Sequence, residues 1–129
     1  MGRYYDGDID GKFWFGIQES TAPERFGCVQ REDFVFYVAT EEDIPTVEQG
    51  LADCVKNLKK YGITKRFVNA YLKDTWKTVD QACVEQGIHL PRDEKEKNFI
   101  YHEMADYELG TKILKRLKKK GYCEFRAEL

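Results

Sequence analysis

Residues 122–129, YCEFRAEL, alternate without a break: Cys123, Phe125, Ala127 and Leu129 against Tyr122, Glu124, Arg126 and Glu128. A period of two puts the first set on one face of a strand and the second on the other, the pattern of a half-buried β-strand. One strand cannot satisfy its own backbone donors and acceptors, so it must pair with strands elsewhere in the chain. The other strand-like segments lie at the opposite end. The carboxyl-terminal segment is therefore expected to return to a sheet begun by the amino-terminal one, joining residues 1–129 in a single domain.

Working back along the chain, Tyr4 to Ile9 and Lys12 to Gln18 flank Asp10-Gly11, a dipeptide suited to the positive φ angles of a two-residue hairpin turn. A polar loop, Glu19 to Gly27, follows, and Asp33 to Ala39 (DFVFYVA) is rich enough in aromatic and β-branched residues to form a third strand. Helical signals then take over. Thr40 with Asp43, and Pro45 in the first turn, begin a helix whose stripe (Ile44, Val47, Leu51, Cys54, Leu58) runs to Gly62. Thr64 caps a second, with a stripe from Phe67 through Trp76 to Cys83 and a stop at Gly87. Asp93 begins a third, with Gly110 as a bend or break. The predicted order is β-β-β-α-α-α-β, an α+β fold in which an antiparallel sheet packs against about three helices.

Composition narrows the function classes. The 129 residues carry 21 Lys+Arg and 23 Asp+Glu, a net charge of −2, which supplies no bulk field for nucleic acid or an anionic membrane. No stretch approaches the roughly 18 apolar residues of a membrane span, and MGRYYDGDID lacks the basic start and apolar run of an export signal. Cys28, Cys54, Cys83 and Cys123 form no CxxC pair, so buried free thiols in a cytoplasmic protein are expected rather than a zinc site or disulfides.

The densest polar motif is Asp6-Gly7-Asp8-Ile9-Asp10-Gly11. It matches the first half of a calcium loop, but the twelfth position is Ile17, where a bidentate Glu is needed, so an EF-hand is not expected. With Asp10-Gly11 as the turn, Asp8 faces Phe13 and Asp6 faces Phe15, placing carboxylates beside aromatic rings. Tyr4, Tyr5, Asp6, Asp8, Asp10 and Trp14 are the candidate contact residues for a ligand or partner: the rings supply rigid apolar contact, and the acids orient cationic or hydrogen-bonding groups. No cofactor is expected. Were a divalent metal bound, Asp6, Asp8 and Glu128 would supply oxygen ligands for Mg²⁺.

Other motifs fall short. His102-Glu103 opens a zincin-like H-E-x-x-H, but residue 106 is Asp and His89 lies in a connector. The run Lys112, Lys115, Arg116, Lys118, Lys119 and Lys120 reads first as solvation of a helix C-terminus, where the dipole favours cations, and second as a basic patch for phosphate-bearing ligands. Tyr4, Tyr5, Phe13, Trp14, Phe15, Phe34, Phe36 and Tyr37 cannot all fit one face of a small sheet, so some must pack a second layer or meet a partner.

The opening GRYYDGDIDGKFWFGIQ and the closing ELGTKILKRLKKKGYCEFRAEL resemble the ends of small uncharacterised proteins encoded by phages and large DNA viruses. That resemblance implies a viral accessory setting and no assigned activity. The expected function is a small non-enzymatic binding protein that uses its aromatic and acidic amino-terminal sheet surface to hold a host protein or a small polar ligand. The alternatives are a divalent-metal-dependent phosphodiester hydrolase and a structural subunit that self-assembles as a homo-oligomer.

Overall fold

A computed structural model describes residues 4–14, 17–19, 21–30, 36–73 and 78–127. Its strands are β1 (Tyr4–Gly7), β2 (Gly11–Lys12), β3 (Val29–Gln30), β4 (Phe36–Thr40) and β5 (Tyr122–Ala127). Its helices are α1 (Ile44–Lys59), α2 (Lys65–Lys73), α3 (Val79–Glu85) and α4 (Glu94–Lys120), with 3-10 turns at Ala22–Phe26 and Glu41–Asp43. The sheet is antiparallel in the order β2-β1-β5-β4-β3. The chain's last strand is thus its central one: Tyr5 pairs with Ala127 on one side, and Tyr37 with Phe125 on the other. Cys123, Phe125 and Ala127 face the core, as their alternation requires. The α+β class follows.

The cause of several elements is local. Thr40 and Asp43 form a reciprocal capping box ahead of α1, the Thr64 hydroxyl accepts from the Phe67 amide, and Asp93 Oδ1 accepts from the Lys95 amide to open α4. Four helices stand where three were expected, because Thr78 and Gln81 make a second capping box that starts α3 afresh. Trp76, assigned to one continuous stripe, lies outside the described residues.

The hairpin also differs from expectation. The turn is not Asp10-Gly11: Tyr4 pairs with Lys12 and Tyr5 with Gly11, so the chain reverses over Asp6–Asp10. The positive φ is taken by Gly7, at +135°, where a Cβ would lie 2.8 Å from the Glu124 carbonyl oxygen. Close approach to β5, rather than a tight turn, selects that glycine. β3 was not foreseen, since two residues carry no readable period. Of the predicted strand Asp33 to Ala39, residues 33–35 lie outside the described residues.

The core has two parts joined by α4. Under the sheet, Tyr5, Phe13, Phe26, Tyr37 and Phe125 pack on Leu109, Ile113 and Leu117. Beyond it, Ile100, Met104 and Tyr107 pack on Cys54, Leu58, Val68 and Cys83 from the three other helices. At 27 residues α4 extends about 40 Å, long enough to serve both. It does not break at Gly110. A Cβ there would lie 2.5 Å from the Phe26 ring, and one at Gly50 of α1 would lie 2.8 Å from it. The two glycines make the slot that admits Phe26 between the helices.

Candidate functional site

The predicted site residues are dispersed by the pleat. Tyr4 and Asp6 lie on the outer sheet face, with the Lys12 ammonium 5.8 Å above the Tyr4 ring and Asp6 Oδ1 3.8 Å from Arg126. Tyr5 points inward. Its ring centroid lies 5.0 Å from Phe13 and 5.9 Å from Phe125, its hydroxyl accepts from Lys112 Nζ at 3.1 Å, and burial pushes its phenol pKa well up. Asp8 turns toward α4: Arg116 Nη2 donates to Oδ1 at 3.1 Å and the Glu124 amide donates to Oδ2 at 2.8 Å. Asp10 is exposed, and its backbone carbonyl accepts from Lys112 at 2.9 Å. Trp14 is half-buried, edge-on to Tyr71, with Nε1 donating to Glu108 at 3.5 Å. The three aspartates do not converge as a metal site would require, and Glu128, like Phe15 and Phe34, lies outside the described residues.

Those residues form two surfaces instead of one. On the outer sheet face, Tyr4, Tyr122 and Val29 remain 53%, 41% and 66% exposed, beside the half-buried Phe36 and Val38 and the charged Asp6, Glu124 and Arg126. The other surface runs along α4, where the Asp8–Asp10 turn meets Lys112, Lys115, Arg116 and Lys119 around a cavity of about 280 Å³.

A third cluster was not anticipated. Glu103 and Asp106 of α4 are only 2% and 1% exposed, and both bind Arg25 from the 3-10 turn. Arg25 Nη1 donates to Glu103 Oε2 at 2.6 Å and to Asp106 Oδ2 at 2.9 Å, while Nη2 donates to Glu103 Oε1 at 2.9 Å. Asn57 of α1 donates to Glu103 Oε1 at 2.6 Å, and Gln18 Nε2 donates to Asp106 Oδ1 at 2.9 Å. His102 bridges the pair, with Nδ1 3.2 Å from Glu103 and Nε2 3.6 Å from Asp106. Burial alone would raise the Glu103 pKa, but hydrogen bonds from His102, Arg25 and Asn57 outweigh it and hold the carboxyl down at about 2. The hydrogen bond to Glu103 in turn raises the His102 pKa.

This cluster is saturated. Among the described residues His102, Glu103 and Asp106 are the set of three potential ligands whose atoms approach within 4.8 Å of one another, yet the Arg25 guanidinium already stands where a cation would sit. Its signal in the sequence was faint: two acids on the apolar stripe of α4, with an arginine 78 residues away. The thiols are equally committed. All four cysteines are free and buried, with burial lifting Cys83 to about 11, Cys54 and Cys123 to about 12, and Cys28 higher still.

The fold and its surfaces define a two-layer α+β protein with one sheet face packed on helices. No protein-family model matches the chain, and comparison with curated proteins and with solved structures found no match. No helix among the described residues is long and apolar enough to cross a membrane.

Proposed function

We propose that the chain is a non-enzymatic binding protein that docks a partner protein on the outer face of its sheet. The observation that carries this reading is the contrast between the two faces. The inner one is sealed by α1 and α4, while the outer one leaves the Tyr4 and Tyr122 rings in water, rimmed by Asp6, Glu124 and Arg126. Exposed aromatic rings within a charged rim are the composition of an interaction surface, since they bury much area at little entropic cost. The saturation of Glu103 and Asp106 and the raised thiol pKa values favour binding over catalysis, because no carboxylate or thiol in these clusters is held ready to react.

The test is affinity capture from the native cell lysate with the wild type and a Tyr4→Ser/Tyr122→Ser variant, each checked for an unchanged Tm. A specific partner retained by the first and lost by the second supports the reading. Equal recovery by both, or none by either, overturns it. Sedimentation at rising concentration separates a heterologous partner from a second copy of the chain.

A further inference from the structure

The second surface points to a different ligand. Lys112, Lys115, Arg116 and Lys119 stand at i, i+3, i+4 and i+7, and this spacing brings all four to one side of α4. That side faces the turn that carries Asp8 and Asp10, and together they line an open trough of about 280 Å³. Four cations against two carboxylates leave two positive charges in excess around it.

The cations differ in what already holds them. Lys112 is tied to the Asp10 carbonyl and the Tyr5 hydroxyl, with Nζ 5.2 Å above the Tyr5 ring, and these contacts aim it at the turn. Arg116 is held to Asp8 through Nη2, and Asp8 is itself anchored to the β5 backbone by two hydrogen bonds with Glu124, one in each direction. Arg116 Nε is buried and, among the described residues, has no hydrogen-bond partner. A guanidinium nitrogen donor left unmet is costly, and buried ones nearly always find an acceptor. Lys115 and Lys119 are exposed and make no ion pair among the described residues, whereas the neighbouring Lys118 lies 3.6 Å from Glu48.

We propose that this trough binds the phosphate group of a small organic phosphate, with Lys115, Lys119 and the Arg116 guanidinium donating to its oxygens and Lys112 closing one end. The excess of two charges matches a phosphate monoester dianion. At about 280 Å³ the trough falls just short of the usual small-ligand range, about 300 Å³ upward, and has room for the phosphate group rather than a whole ligand. Extension comes from a second, adjoining cavity that shares Lys112 and is walled by Trp14, Phe13 and Glu108, so the organic part lies toward the Trp14 side. A nucleic-acid backbone is disfavoured, because the chain is net negative and supplies no bulk field to attract one. The site is independent of the outer sheet face, on the opposite side of the β1 pleat from Tyr4.

The test is amide NMR of the full chain titrated with inorganic pyrophosphate, and separately with a short oligothymidylate. Saturable shifts confined to residues 8–10 and 112–119 at millimolar pyrophosphate are expected, together with movement of the Arg116 Nε–H resonance. Lys115→Gln/Lys119→Gln should weaken binding at least about tenfold, since each lysine supplies a charge-assisted hydrogen bond. Lys118→Gln/Lys120→Gln removes the same charge from outside the trough and should leave the affinity within about twofold. The absence of saturable shifts, an equal loss in both double variants, or tighter binding of the oligothymidylate than of pyrophosphate would each overturn the proposal.

Discussion

Helix α4 carries two ionic clusters, and they are built to opposite ends. Around Glu103 and Asp106 the acids lie on the helix and inside the protein, the single arginine reaches them from a distant turn, and every carboxylate oxygen has a donor. Three turns further on, around Arg116, the cations lie on the helix and outnumber the acids, and a guanidinium nitrogen is left without an acceptor. Both could be described as salt bridges on one helix. The first is a lock between layers, because desolvated charges tolerate no vacancy; the second retains donors for something else.

The largest effect that would break this comparison is at Arg25. Arg25→Ala strands two buried carboxylates and is expected to cost about 3–5 kcal/mol in urea unfolding, because an unpaired buried charge is far more costly than the pair is worth. A loss below about 1 kcal/mol, the scale of a surface ion pair, would put the lock on a par with the trough.

The pH dependence sharpens the same contrast at smaller scale. The Glu103 pKa is lowered in the fold, so its contribution is present above the unfolded carboxyl value of about 4.5 and fades as pH falls toward 2. The His102 pKa is raised, so its contribution is complete below the unfolded imidazole value of about 6.5 and is lost as pH rises through the folded value. Stability from this cluster should therefore peak between about pH 4.5 and 6.5. Stability profiles of the wild type and His102→Gln should be furthest apart below about pH 6.5 and converge on the alkaline side, where the wild type alone declines. The gap should be less than about 1 kcal/mol because solvent screens a half-exposed imidazole.

The smallest effect belongs to the trough. Lys115→Gln/Lys119→Gln should leave unfolding free energy within about 0.5 kcal/mol of wild type, as exposed charges without partners do. A larger loss in a denaturant melt would assign the two lysines to the fold rather than to a ligand.

Much of the architecture was readable in advance because its causes are local or periodic. The alternation in YCEFRAEL predicted a strand with Cys123, Phe125 and Ala127 inside, and Thr40, Thr64 and Asp93 marked helix starts by hydroxyl or carboxylate chemistry that acts within one turn. The same chemistry at Thr78 and Gln81 was legible too, but a continuous apolar stripe masked it, and two helices were read as one. The hairpin misled for a different reason. Asp10-Gly11 is a strong local turn signal, yet Gly7 took the unusual backbone because β5, more than a hundred residues later, lies against it. Of the candidate site, Asp8 and Trp14 line or adjoin the trough, Tyr4 and Asp6 fall on the outer face, and Tyr5 is core; a one-residue alternation separated neighbours that the sequence sets side by side.

Periodicity and capping, which act over a few residues, were enough to establish the α+β class and the return of the final strand to the first, and the missing CxxC pairs pointed to the free buried cysteines. The Arg25–Glu103–Asp106 lock and the Gly50–Phe26–Gly110 slot came from packing alone, as did the meeting of the basic run, itself visible in the sequence, with Asp8 and Asp10 in one trough. Together they join residues from about 24 to more than 100 positions apart, and whether a charge is saturated or left with spare donors depends on what the fold brings against it.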